Sequence, residues 1–176
     1  QHDWWMHHAD RALLERHRDY ITRLVDQIDL TVDSVGRFRA NVFLDWPSSA
    51  DKAGVRIGVQ ALTVWSMDAA AKLCRILGDS AREDKCRAVA RRISSHIATP
   101  KKLRQAAALM VIAGCMDAGD MAERYMHGID GFSTFYGYYM LEALARAGRY
   151  DDALDAISRY WGGMLDLGAT TFWEDY

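Results

Sequence analysis

Proline interrupts this chain only twice, at Pro47 and Pro100. Proline fixes φ and removes an N–H donor, so it ends or kinks a helix wherever it falls inside one. Its scarcity, combined with apolar residues recurring three and four positions apart, predicts helices through most of the chain. Leu14, His17, Ile21, Leu24 and Ile28 form one stripe, widened by Leu13 and Val25, with Asp10 as the expected N-cap. Leu62, Trp65, Ala69, Leu73, Ile76 and Leu77 form a second within 57–77, closed by Gly78. Ser80-Ala81-Arg82-Glu83 has capping-box spacing and opens a third helix, with Cys86, Val89, Ala90, Ile93 and Ile97 turned inward. Shorter helices are expected over 102–112 and 118–127. Ser133 or Thr134 should cap a helix over 135–147, and Asp151 should cap the last, which runs to about residue 165. The pattern supplies about seven helices on mostly short links, the mark of antiparallel helical hairpins.

Residues 32–56 break the pattern. Phe38, Ala40, Val42 and Leu44 alternate, but Gly36, Pro47, Ser48, Ser49 and Gly54 punctuate the segment. A long loop with a short strand is expected there, and loops of that length inside a domain are often functional. The 135–147 helix carries Phe135, Tyr136, Tyr138, Tyr139, Met140, Leu141, Ala143 and Leu144, apolar on nearly every side. Such a helix is expected to be buried on both faces. The following helix has Arg and Asp on one side and should lie outside it.

Lys and Arg number 22 and Asp and Glu 24, for a net charge of -2. A nucleic-acid binder should show a basic surplus, so that class is excluded. Half of the residues are hydrophobic, enough for a sizeable core, yet no apolar run reaches the ~18 residues of a membrane span. Cys74, Cys86 and Cys115 have no disulfide or zinc spacing and read as free thiols. His7 and His8, with His2 and Asp3, do not converge on one helix face, so no metal site is expected. Trp4 and Trp5 are expected to pack at a helix start. The first residues show neither an initiator Met nor a signal-peptide pattern, and the chain is expected to be a piece of a longer one.

The chemically suggestive stretch is the last: Asp166-Leu167-Gly168-Ala169-Thr170-Thr171-Phe172-Trp173-Glu174. A helix ends at a glycine and a short loop delivers a tryptophan beside a carboxylate. An aromatic face next to a carboxylate able to activate water is a common furnishing of sugar-cleaving sites. A Trp-Glu pair on a loop can equally be surface decoration.

Two segments resemble a known family. One is Phe43-Leu44-Asp45-Trp46-Pro47, followed by a helix at Gly58-Val59-Gln60-Ala61-Leu62. The other is Ser133-Thr134-Phe135-Tyr136-Gly137-Tyr138-Tyr139-Met140-Leu141-Glu142-Ala143-Leu144-Ala145, continuing through Trp161-Gly162-Gly163-Met164 to Ala169-Thr170-Thr171-Phe172-Trp173-Glu174. Together they resemble the catalytic domain of bacterial α-L-rhamnosidases of glycoside hydrolase family 78. The resemblance implies an all-α fold, part of an (α/α)6 barrel or six-hairpin toroid, and hydrolysis of terminal α-L-rhamnosides with inversion. It places Glu174 at the general base, Trp46 and Asp45 in the sugar pocket, and Trp173 beside the base. It implies no metal and no organic cofactor. The implied partners are a rhamnose-containing glycoside and the rest of the parent domain.

The departures are equally specific. The family's general acid lies upstream, in an acidic, Trp-containing loop, and no such segment is present. The histidine-bearing segment expected after the base is absent too. Residues 1–176 therefore read as an incomplete catalytic domain truncated at both ends, inactive by itself. Inversion needs two carboxylates roughly 6.5–9.5 Å apart, and Glu174 supplies one. Two other classes stay open. The run from Glu142 to Leu154 resembles a tetratricopeptide turn, which would make the chain a helical-repeat scaffold, but no second copy follows at about 34 residues. The second is another (α/α)6 carbohydrate enzyme, such as a different glycosidase or a polysaccharide lyase; a lyase would more readily use Tyr or His as base than Glu174.

Overall fold

The computed structural model describes residues 1–39, 41–174 and 176. The described residues are all-helical, with nine α-helices and no strand beyond an isolated antiparallel bridge between Val32 and Phe38. Ala40, one of the alternating positions, lies outside the described residues. In order, the helices are α1 (His2–His8), α2 (Arg11–Arg16), α3 (Arg18–Thr31), α4 (Lys52–Ile76), α5 (Ser80–Ser94), α6 (Arg104–Ile112), α7 (Ala118–Tyr125), α8 (Thr134–Arg146) and α9 (Tyr150–Asp166).

The excess over about seven has local causes. The first stripe is broken at His17, whose N–H is shared between the carbonyls of Leu13 and Leu14, so α2 and α3 form in place of one helix. Asp10 caps α2, accepting from Leu13 N–H at 2.9 Å. The Trp4-Trp5 segment forms its own short helix, α1, with no buried residue, so it is not the packed start of a longer one. Trp4 stacks on His8 at 3.9 Å.

The chain forms two compact units. The first comprises Gln1–Asn41 and Thr63–Ile97, the second Val42–Leu62 and Ala98–Tyr176. In the first, α3 and α5 are tied by charge. Asp29 Oδ1 meets Arg92 Nη2 at 2.6 Å, and Lys85 Nζ bridges Asp26 at 2.8 Å and Asp29 at 3.3 Å. Arg82 reaches Asp26 at 3.0 Å, and Glu83 holds Arg75 and Arg87. Hydrogen bonds from Lys85 and Arg82 hold Asp26 below the ordinary carboxylate range, and a bond from Arg92 does the same for Asp29. Gly36 sits with φ +74° against the α5 backbone, where an added Cβ would lie 2.7 Å from the Arg92 carbonyl oxygen. Cys74 and Cys86 are buried free thiols.

The second unit is built on α6, whose residues from Gln105 to Ile112 are all buried. Ala106, Ala107 and Ala108 leave room for close approach, and α6 packs on α7 and α8. Helix α8 in turn packs on α9, with Gly137 lying under the Trp161 ring, where a Cβ would come within 2.8 Å of it. Met140, Tyr160 and Met164 are each 1 % exposed or less. Burial of such a side chain contributes about 1.5–3 kcal/mol. Helix α8 is not buried on both faces as its composition suggests: Phe135 and Tyr138 stand 67 % and 66 % exposed.

Candidate functional site

The site candidates all lie in the second unit and are set by three short segments. The first leads into α4. Leu44 is buried and reaches the bare backbone of Gly58, where a Cβ would lie 2.6 Å from Leu44 Cδ2. With Leu44 turned inward, its neighbours Phe43 and Trp46 face out, 56 % and 71 % exposed, and meet edge to face at 4.8 Å. Trp46 therefore does not plug the core. The turn after it is held by Ser48 Oγ, which donates to the Asp45 carbonyl at 3.0 Å, and by Ser49 N–H, which donates to the Trp46 carbonyl at 3.1 Å. Asp51 Oδ1 accepts from Gly54 N–H at 2.9 Å and caps α4.

The second segment is the start of α8. Ser133 is the N-cap, accepting from Tyr136 N–H at 3.3 Å, and is 1 % exposed. The same hydroxyl donates to Asp45 Oδ2 at 2.5 Å, across 88 residues of sequence. Asp45 Oδ1 accepts from Trp46 N–H at 3.0 Å, so each carboxylate oxygen has a donor. Tyr136 is buried beside this pair. Burial first, then the Asp45 charge and Tyr139, push its phenol up to about 12. It is a neutral donor at any ordinary pH.

The third segment is the C-terminal loop. Gly168 at φ +87° ends α9, and Ala169 N–H returns to the Met164 carbonyl at 2.9 Å. Thr134 Oγ1 donates to the Trp173 carbonyl. Beyond Glu174, Tyr176 lies over Gly163, where a Cβ would come 2.2 Å from the phenol oxygen, and packs edge-on against Tyr160 at 5.5 Å. Glu174 is thus carried between two anchors. Its side chain is exposed, and Trp173 is 36 % exposed.

The arrangement joins Asp45-Trp46 to Trp173-Glu174 through consecutive residues, Ser133 and Thr134, whose Cα atoms are ~3.8 Å apart. It offers an outward aromatic surface, an oriented carboxylate and a second, exposed carboxylate. An aromatic face stacks on the apolar side of a sugar ring, and a carboxylate accepts from its hydroxyls or from water. The sequence flagged Ser133 only as a possible cap; its bond to Asp45 and the Thr134 bond to the C-terminal loop join residues too far apart in sequence for any periodicity to signal. Among the described residues no group of three His, Cys, Asp or Glu is arranged to hold a metal ion, and no helix is long and apolar enough to cross a membrane. A cavity of about 250 Å³ in the first unit, lined by Leu24, Val25, Ile28, Trp65 and Leu73 among others, contains none of the candidate residues.

The fold is similar to that of a rhamnosidase from Klebsiella oxytoca solved with rhamnose bound. The TM-score is 0.79 at 19 % sequence identity, over 99 % of this chain and 38 % of that one. The chain thus spans well under half the length of that rhamnosidase. At this identity the likeness is one of fold: all-α, like the (α/α)6 domain of a rhamnosidase. No protein-family model matches the sequence, and no curated protein matches it.

Proposed function

We propose that this chain is part of the catalytic domain of an inverting glycoside hydrolase that acts on terminal α-L-rhamnosides. Glu174 is the general base that takes a proton from the attacking water. Trp46 and Trp173 shape the sugar pocket, and Asp45 accepts from a sugar hydroxyl. The observation that carries this reading is the convergence of Asp45-Trp46 and Trp173-Glu174 on the first residues of α8. The fold likeness to a rhamnosidase supports it over the helical-repeat scaffold.

In this reading residues 1–176 are an incomplete domain, and the general acid is supplied by the rest of the parent chain. Two carboxylates and water suffice for the chemistry, so no metal or organic cofactor is required. The 176 residues alone are expected to be inactive toward a rhamnoside.

The test is hydrolysis of an aryl α-L-rhamnoside by the full-length protein, wild type against Glu174→Gln. The amide keeps the shape and cannot take the water's proton. A fall in kcat of about a thousandfold or more, with substrate binding retained, is expected. An active wild type with an equally active variant would remove Glu174 from the base role. An inactive wild type would remove the rhamnosidase reading.

A further inference from the structure

We propose that Ser133 and Thr134 are the positioning residues of the site, a two-residue clamp in which Ser133 fixes the sugar-binding carboxylate and Thr134 fixes the general base. The inference rests on the reading of Asp45 and Glu174 given above, and names what holds each of them.

A serine hydroxyl has one proton and two lone pairs. At Ser133 a lone pair is taken by Tyr136 N–H and the proton is given to Asp45 Oδ2. The residue is 1 % exposed, so water does not compete for either bond. Cap and carboxylate are therefore coupled: the orientation that closes the first turn of α8 is also the one that holds Asp45.

Thr134 is the first residue of α8 and needs no side-chain bond for the helix to start, since Ser133 already caps it. Its hydroxyl instead donates outward to the Trp173 carbonyl. That carbonyl belongs to the peptide plane that carries the Glu174 N–H, so fixing it fixes the plane from which the Glu174 side chain leaves. Threonine suits this task because branching at Cβ stiffens χ1. Tyr176 on Gly163 anchors the far side of the same loop. The base thus rides on a loop that is pinned at both ends to α8 and α9, and misplacement of a catalytic group by about 1 Å can cost a hundredfold in rate.

The experiment uses the full-length protein as wild type, Thr134→Val, Thr134→Ser and Ser133→Ala, with two readouts. The first is the {1H}-15N NOE of the Glu174 amide in uniformly 15N-labelled protein. It should fall in Thr134→Val, which keeps the shape and loses the donor, and recover in Thr134→Ser. An unchanged value in Thr134→Val overturns the clamp whatever the enzyme does. The second is aryl α-L-rhamnoside kinetics. Thr134→Val should lower kcat about 10- to 100-fold with KM within about threefold. In a Glu174→Gln background it should cost almost nothing more, because its effect passes through Glu174. Ser133→Ala should act chiefly on KM. Equal losses from Thr134→Val in both backgrounds would show a structural role and overturn the assignment. Release of the Glu174 amide in Thr134→Val, in a protein whose wild type does not turn over rhamnosides, would uphold the clamp and remove the rhamnosidase reading.

Discussion

Both units of this chain bury an apolar core, and they differ in how polar side chains are used around it. In the first, Ile21, Val25, Val89 and Ile93 are buried, and α3 and α5 are further joined by a lattice of half-exposed charges in which Asp26 and Asp29 are shared among Arg82, Lys85 and Arg92. In the second, α6, α8 and α9 meet through alanines, glycines, methionines and aromatic rings. The difference shows where polar groups are spent. Where charge joins helix to helix, the carboxylates are committed to Arg and Lys and are poor candidates for chemistry. Where apolar packing does that work, the hydroxyls at the head of α8 are left to hold loops, and those loops carry Asp45, Trp46, Trp173 and Glu174.

The sharpest way to break this contrast is in the apolar unit. Met140 is fully buried, and Met140→Ala should destabilise the second unit by about 2–5 kcal/mol. Hydrogen exchange should report the loss in α6, α8 and α9, with α3 and α5 less affected. In the charged unit the largest effect should come from the backbone. Gly36→Ala meets both a left-handed φ and the α5 backbone, and should cost about 1–3 kcal/mol, seen as a drop in thermal midpoint.

The pH dependence should sharpen the contrast from both ends. Asp26, Asp29 and Glu83 have folded-state pKa values below their unfolded ones, chiefly through bonds from Lys85, Arg92 and Arg75. Their contribution is fully present above the ordinary carboxylate values, about pH 4 for the aspartates and about 4.5 for Glu83, and is lost as pH falls through the folded values. Amide protection in α3 and α5 should therefore fall on acidification. Tyr136 has the opposite sign: its folded pKa, about 12, lies above the ordinary tyrosine value of about 10. Its contribution is full below pH ~10 and is lost as pH rises through about 12. The second unit should loosen on alkaline titration, and Tyr136→Phe should remove that part of the loss. The smallest effect is that of a single ion pair: Arg92→Ala should cost about 1 kcal/mol, less at high salt. Equal acid sensitivity of both units would erase the distinction.

Much of the helical framework was legible because it is periodic and punctuated. The stripe ending at Gly78 and the Ser133 cap before α8 were read from spacing and turn chemistry, and the structure places helix ends there; Asp79 caps α5 in place of a capping box at Ser80, and Asp151 lies inside α9, which starts at Tyr150. What could not be read depends on contacts across the fold. The break at His17 interrupts a continuous stripe, so periodicity does not mark it. The exposure of Phe135 and Tyr138 contradicts their composition, because an apolar side chain is exposed wherever no neighbour among the described residues covers it. The Asp51 cap on α4 was not legible because its partner is a backbone N–H, which sequence does not display. Of the candidate site, the residue types came from the two motifs, but the joining of Asp45 to Ser133 and of Trp173 to Thr134 is purely tertiary.

The central claim is that the segments around Asp45 and Glu174 make one sugar site. The most direct test is an NMR titration of the protein with L-rhamnose, following the six tryptophan indole N–H signals. The account predicts saturable shifts of Trp46 and Trp173 with one shared dissociation constant, while Trp4, Trp5, Trp65 and Trp161 stay in place. Shifts confined to other tryptophans, or separate constants for Trp46 and Trp173, would contradict it.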